Sequence, residues 1–170
     1  ICLGAQVLAR QLGGEVGLHP EGKVEVGYYP MRATEAGRRL CAWPDHVYEW
    51  HREGFSLPCG ATLLAEGDCF PNQAFQYGRA AFGFQFHPEL THHMMCRWTV
   101  RGAPRLELPN AKPRHEHFDD RLVHDCKTRA WLNEFLDLWL ALGDETPAGK
   151  KTSPDLQNAN RVADCKARER

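Results

Sequence analysis

The sequence lacks an excess of either charge. Its 170 residues carry 21 Lys and Arg against 22 Asp and Glu, which gives a formal net charge of −1. Proteins that bind nucleic acid through counterion release normally carry a basic excess, which is missing here. The sequence also has no run of ~18 apolar residues of the kind that crosses a membrane as a helix. We therefore expect neither nucleic acid nor a membrane as a partner.

Closely spaced cysteine pairs are missing as well, since the seven cysteines include no CxxC motif. A secreted disulfide scaffold would be shorter and would usually hold an even number of cysteines. We therefore expect a cytoplasmic location, with most thiols packed as small apolar side chains. The first residue is Ile1 and no signal peptide is readable, which predicts a fragment or a processed product.

Helix-type and strand-type patterns occur in the same chain and predict an α/β layered domain. Apolar spacing predicts a helix over residues 5–12. Alternating phenylalanines predict a strand over residues 81–87, paired as a hairpin with residues 74–77. Two more helices are predicted, one with Thr91 as its N-cap and one over residues 125–142.

The segments between and after these helices are polar. Residues 102–118 are rich in proline and charge and are predicted to form a surface loop. From residue 144 onward, large apolar side chains are almost missing, so burial cannot offset the entropy of ordering. We therefore predict a domain over residues 1–143 and a disordered polar tail over residues 144–170.

Cys2, directly before the first predicted helix, is a candidate nucleophile. The free N–H groups and the dipole of a helix N-terminus favour a thiolate. Gly4 and Ala5 would let this helix cross a strand closely, as a nucleophile elbow requires. The backbone N–H of Leu3 would then be an oxyanion donor. Taken alone, a cysteine near a helix start is more often a buried structural thiol.

A second pair of candidates ends the predicted strand 81–87. In extended backbone His87 and Glu89 point to the same side, so the carboxylate can orient the imidazole ring. Taken alone, this segment could be a turn after a core strand, but with Cys2 it completes a nucleophile, a base and an orienting group.

These motifs resemble those of class I glutamine amidotransferases. Residues 1–6 resemble the GxCxGxQ elbow of this family, and residues 84–89 resemble its strand that runs into His-Pro-Glu. Residues 50–58 are similar to a histidine-containing loop of the GMP synthase-like branch, and the whole resemblance covers residues 1–142. It implies a doubly wound, mostly parallel α/β sheet with flavodoxin-like layering, and a glutaminase that needs no cofactor.

The resemblance also implies a role for each site residue. Cys2 would attack the side-chain amide of glutamine and form a γ-glutamyl thioester, releasing ammonia for a synthetase partner. His87 would transfer the protons and Glu89 would hold His87. Gln6 would contact the substrate and His51 would line the pocket.

One departure from the family pattern concerns the start of the chain. The family's elbow begins with a glycine before the position of Ile1, and its first strands and second oxyanion donor lie further upstream. The chain is therefore identified as N-terminally truncated. We expect little glutaminase activity from these residues alone, since losing one oxyanion donor costs ~10²–10³ in rate.

Three alternatives stay open. A γ-glutamyl peptidase or hydrolase would use the same triad on another substrate, and a non-catalytic family member would use the fold for binding only. A metal site is the third, because five potential ligands lie close in sequence: His92, His93, Cys96, His115 and His117. Adjacent histidines on a helix diverge by about 100°, and the spacing matches no zinc motif, so we expect no metal here.

Overall fold

A computed structural model of the chain describes residues 1–144. Its helices are α1 (Leu3–Gln11), α2 (Glu35–Leu40), α3 (His92–Arg101) and α4 (Arg114–Asp144), with a 3₁₀ helix over Ala103–Glu107. Its strands are β1 (Val16–Leu18), β2 (Glu25–Ala33), β3 (His46–His51), β4 (Glu53–Phe55), β5 (Ala61–Gly67), β6 (Ala74–Tyr77) and β7 (Ala81–Phe84). Apart from Asp144, the predicted tail lies outside the described residues, so the boundary stays a prediction. None of these helices is long and apolar enough to cross a membrane.

Five strands form one sheet in the order β3-β2-β5-β6-β7, and β1 pairs with β4 in a separate ribbon. The predicted α/β class is confirmed. The predicted parallel pairing is not found within residues 1–144, because every strand pair there is antiparallel. The physical reason lies in the connections: parallel neighbours need a crossover of a dozen or more residues, whereas β5, β6 and β7 follow one another through shorter turns.

Helices pack on both faces of this sheet. Ala74 and Phe75 are neighbours on β6 and so point to opposite faces, and each belongs to a different apolar cluster. On the face of Ala74, α4 packs Trp131 and Phe135, each 3% exposed. On the face of Phe75, α1 packs its alanines. The sheet therefore lies between α1 and α4, and β7 is in contact with both layers.

The helix ends agree with the sequence in part. Helix α1 and the β6–β7 hairpin lie where they are predicted, and the Thr91 hydroxyl caps α3 by accepting the Met94 N–H at 3.2 Å. The predicted loop over residues 102–118 is wrong in its last part, because α4 begins at Arg114. His117 explains the difference: it lies on the inner side of the first turns and is fully buried against Tyr48.

Candidate active site

Cys2 occupies the N-cap position of α1 in an uncommon backbone conformation. Its φ of 45° and ψ of −108° lie in the left-handed half of the Ramachandran plot, where a residue other than glycine is strained by about 1–3 kcal/mol. Its N–H donates to the Phe84 carbonyl at the end of β7, with a distance of 2.7 Å. A strained residue directly before a helix, with its N–H hydrogen-bonded to the end of a strand, has the helix side of the backbone geometry of a nucleophile elbow.

The environment of the Cys2 thiol differs from the sequence expectation. Burial raises the pKa of this thiol to about 11, and the carboxylates of Glu49 and Glu89 act in the same direction. The Leu3 backbone N–H bonds the side chain of Cys2 and lowers its pKa, but burial outweighs it. The helix start thus favours the thiolate, as the sequence suggests, but this effect is smaller than that of burial, and the thiol is protonated at neutral pH.

Gly4 and Ala5, the two small residues of the elbow, differ in how closely they pack. Ala5 is 1% exposed and packs against the sheet, as a close crossing of helix and strand requires. A Cβ atom built on Gly4 would meet no atom of the described residues within 4 Å. The predicted need for glycine at position 4 is therefore not explained by contacts within this part of the chain.

His87 and Glu89 lie in the bend and turn that follow β7, which ends at Phe84 and is therefore shorter than the predicted strand over residues 81–87. The imidazole Nδ1 of His87 is 2.8 Å from Glu89 Oε1, so the two side chains lie on one side of the backbone, as the sequence suggests. The backbone N–H of His87 donates to the Tyr48 carbonyl at 2.8 Å. The His87 ring packs edge-on against Trp98, with 4.9 Å between the ring centroids. With Nδ1 bound to the carboxylate, Nε2 is the nitrogen left for proton transfer.

The backbone of β7 brings the thiol and this pair to one end of the sheet. The Cys2 backbone N–H is hydrogen-bonded to the Phe84 carbonyl, and His87 lies three residues after Phe84 in the chain. Glu89 lies near enough to the thiol to raise its pKa. Cys2 Sγ and the His87 ring share no direct hydrogen bond within the described residues. Catalytic hydrogen bonds are often long without substrate and tighten when it binds.

Gln6 and His51 meet at one backbone carbonyl. Gln6 Nε2 donates to the Glu53 carbonyl at 2.6 Å, and His51 Nδ1 is 2.9 Å from the same oxygen. Gln6 is 6% exposed and His51 is 3% exposed, so both side chains support the turn between β3 and β4 from inside the protein. Their predicted contacts with a substrate stay predictions.

Two groups of side chains within residues 1–144 have the donor types of a metal site. In the first, His51 Nε2 lies 3.0 Å from Glu25 and 3.2 Å from Glu49, and all three side chains are buried. The second group is Asp45, His46 and His124, whose ligand atoms also lie within 4.8 Å of one another. Sequence reasoning missed both groups because their members come from different strands and helices.

The histidine-rich group considered from the sequence divides between two environments. His92 Nε2 lies 3.6 Å from Cys96 Sγ on the exposed side of α3. His117 is buried, and its two ring nitrogens bond the Tyr48 hydroxyl and the Lys112 carbonyl. Both ring nitrogens of His117 are thereby occupied.

Comparison with known proteins adds an independent line of evidence. The sequence profile of the family "Glutamine amidotransferase class-I" matches residues 1–97. The chain is 44% identical over 96 residues to the glutamine amidotransferase-like protein YfeJ of Salmonella typhimurium, a match that covers 54% of this chain and 39% of that protein. It is 36% identical over 119 residues to the GMP synthase [glutamine-hydrolyzing] of Marinobacter nauticus, covering 63% of this chain and 21% of that one. The chain thus spans well under half the length of these two relatives.

A relative that is a separate subunit and two proteins of known crystal structure point to the same family. The chain is 34% identical over 98 residues to one subunit of the glutamine-hydrolyzing GMP synthase of Thermococcus kodakarensis, covering 54% of this chain and 50% of that subunit. A glutamine amidotransferase from Methylobacillus flagellatus superposes with a TM-score of 0.73 at 27% identity, covering 89% of this chain and 64% of that one. A glutamine amidotransferase from Thermotoga maritima superposes with a TM-score of 0.58 at 30% identity, covering 84% of this chain and 59% of that one. The chain therefore belongs to the class I glutamine amidotransferase family, in its GMP synthase-like branch.

Proposed function

We propose that the chain carries the nucleophile, the base and the orienting carboxylate of a glutaminase that hydrolyses the side-chain amide of L-glutamine. The observation that carries this proposal is the bond from the strained Cys2 N–H to the Phe84 carbonyl, which sets the thiol beside the segment of His87 and Glu89. Membership of the class I glutamine amidotransferase family supports the choice of glutamine as the substrate.

The first half of the reaction forms a thioester. Because burial keeps the Cys2 thiol protonated, His87 Nε2 takes the proton as the sulfur attacks the amide carbon. Negative charge then develops on the amide oxygen, and the Leu3 N–H at the start of α1 is a donor that can stabilise it. The amide C–N bond breaks, His87 returns the proton to the leaving nitrogen, and ammonia departs.

The second half releases the product. His87 takes a proton from water, the resulting hydroxide attacks the thioester carbon, and the C–S bond breaks to give glutamate. The sulfur leaves as a thiolate and recovers its proton from His87. In both halves the Glu89 carboxylate, 2.8 Å from Nδ1, stabilises the imidazolium that forms.

The ammonia requires an acceptor. We propose a synthetase, as a further domain or a separate protein, as the partner, by similarity to proteins that are named as glutamine-hydrolysing GMP synthases. In the Thermococcus relative the matching chain is a separate subunit, which supports a partner protein as the acceptor.

Covalent labelling tests the nucleophile. We expect a diazoketone analogue of glutamine to modify Cys2 with a stoichiometry near one, as measured by mass spectrometry of the digested chain. The Cys2→Ser variant should lose the label. The Cys126→Ser variant should keep it, because Cys126 is an exposed thiol on α4 outside the site. Labelling spread over several cysteines, or retained in Cys2→Ser, would overturn the assignment.

Competition during the same labelling tests the substrate. We expect glutamine to protect Cys2 at lower concentration than γ-glutamyl dipeptides do. Stronger protection by the dipeptides would favour a γ-glutamyl hydrolase with the same triad. Ammonia release, measured alongside, reports turnover.

A further inference from the structure

Gln85 directly follows β7, whose last residue Phe84 is hydrogen-bonded to Cys2, and it precedes the base His87 by two residues. Its side chain is fully buried. Its backbone N–H donates to the Gln73 carbonyl at 2.8 Å, which fixes the main chain at this position. Its side-chain Nε2 lies 3.6 Å from Cys2 Sγ, and its Oε1 lies 3.2 Å from Gln6 Nε2. The amide therefore touches the reacting sulfur on one side and a second buried amide on the other.

The order of these contacts decides which end of the Gln85 amide faces the sulfur. The Glu53 carbonyl can only accept, so Gln6 must present its NH₂ group there, at 2.6 Å. The second hydrogen of the same NH₂ group points to Gln85, which must then present its oxygen. The NH₂ group of Gln85 is thereby directed at Cys2 Sγ. One backbone carbonyl thus orients two amides in series.

A hydrogen-bond donor at the sulfur stabilises the thiolate more than the thiol, because hydrogen bonds to a charged acceptor are the stronger ones. The carboxylates of Glu49 on β3 and Glu89 also act on the sulfur and oppose the thiolate, whereas the Leu3 N–H on α1 and the ammonium group of Ile1 favour it. A thiolate forms twice in the proposed cycle, at attack and when the thioester breaks. The Gln85 donor would assist both steps.

We propose that Gln85 is a further catalytic residue, a hydrogen-bond donor to the Cys2 sulfur whose orientation is set by Gln6 and the Glu53 carbonyl. This inference rests on the proposed function for its catalytic meaning, and on the geometry above for the contact itself. It gives Gln6 a positioning role that does not require contact with substrate.

The test measures the reactivity of the thiol without substrate. The rate at which iodoacetamide modifies Cys2 is followed against pH by mass spectrometry of the Cys2 peptide, in the wild-type chain and in Gln85→Met. Methionine has nearly the volume of glutamine but donates no hydrogen bond. We expect the midpoint of the profile to rise by about one pH unit, with a roughly tenfold slower reaction at pH 8. Gln76→Met, on the neighbouring strand β6, is the matched control and should follow the wild type.

A second variant covers the case in which Gln85→Met does not fold, as judged by circular dichroism. Gln6→Met leaves Gln85 in place but removes the amide that orients it, so the midpoint should move in the same direction. An unchanged midpoint in a folded Gln85→Met chain overturns the inference, and so does an equal change in Gln76→Met. If the glutamine analogue labels Cys2 while Gln85→Met leaves the profile unchanged, this inference alone fails. If Cys2 is not labelled at all, the proposed function fails.

Discussion

At Cys2, burial and hydrogen bonding act on the thiol in opposite directions. Burial and the carboxylates of Glu49 and Glu89 raise its pKa, whereas the Leu3 N–H lowers it. Because burial is the largest contribution, the pKa rises to about 11. The thiol therefore depends on a base at neutral pH, and this makes the orientation and charge of His87 decisive for the proposed reaction.

Glu89→Gln tests the carboxylate that holds the base. Glutamine keeps the size of the side chain and can still accept from Nδ1, but it has no charge to stabilise the imidazolium. We expect kcat for ammonia release to fall by ~10²-fold or more while KM changes little, since the loss falls on the transition state. The rate of labelling by the glutamine analogue should fall in parallel.

Glu66→Gln is the matched control for this change, because Glu66 is an exposed glutamate on β5 outside the site. We expect it to leave both rates unchanged. Wild-type rates in Glu89→Gln would show that His87 needs no charged partner, and would contradict the proposed role of Glu89.

Among the elements, those set by local chemistry were predicted from the sequence. Helix α1, the β6–β7 hairpin and the Thr91 cap each depend on a few neighbouring residues with a clear pattern. The start of α4 was missed, because the residues after Arg114 are mostly histidines and charged residues and show no clear apolar period. Tertiary packing decides there, with His117 buried against Tyr48 and Trp50 of β3 rather than exposed on a loop.

The short helix α2 gives a prediction at this scale, because it lies unusually close to β5. A Cβ atom on Gly37 would lie 2.1 Å from the Leu64 carbonyl oxygen, and a backbone atom cannot move aside cheaply. We expect Gly37→Ala to lower the free energy of unfolding by ~1–3 kcal/mol, as overpacking does. Urea unfolding followed by far-ultraviolet circular dichroism measures the change.

Gly4→Ala on α1 is the matched control, since it is the same substitution in a helix without the close contact. Its expected effect lies between no change and a gain of ~1 kcal/mol, because alanine is the better helix former. If Gly37→Ala were no more destabilising than Gly4→Ala, the close approach of α2 and β5 would not constrain position 37.

At the scale of the whole molecule, a buried polar cluster joins separate parts of the sheet. Glu25 of β2 lies between His51 of β3 and Gln73, which donates to the same carboxylate oxygen at 2.9 Å. Glu49, also on β3, is fully buried beside His51. The sequence did not predict this cluster, since a glutamate within a strand is ordinarily taken for a solvated charge. The antiparallel strand order was missed for a related reason: hydrophobic patterns identify the buried face of a strand but not its direction.

The protonation of this cluster couples folding to pH. Burial raises the pKa of Glu49 from its usual 4.5 to about 8. For His51, burial alone would lower the pKa, but hydrogen bonds to Glu25 and Glu49 outweigh it and raise the pKa from 6.5 to about 9. Both groups therefore bind protons more tightly in the folded chain than in the unfolded one. Where the folded state holds more protons, the free energy of unfolding falls as pH rises.

The expected result is a stability that declines between about pH 5 and pH 9. The His51 contribution is complete below pH 6.5 and is lost as the pH passes through 9, and the Glu49 contribution is lost on the way to pH 8. We expect a loss on the order of 2 kcal/mol or more across this range, from urea unfolding at several pH values. Glu49→Gln should flatten the profile between pH 5 and 8, because its amide does not titrate, whereas Glu66→Gln should keep the wild-type slope. A wild-type stability that is constant or rises over this range would mean that the cluster holds no extra protons when folded. The Glu49 carboxylate would then be charged in the core at neutral pH, and His51 would be neutral above pH 6.5 and would not balance it.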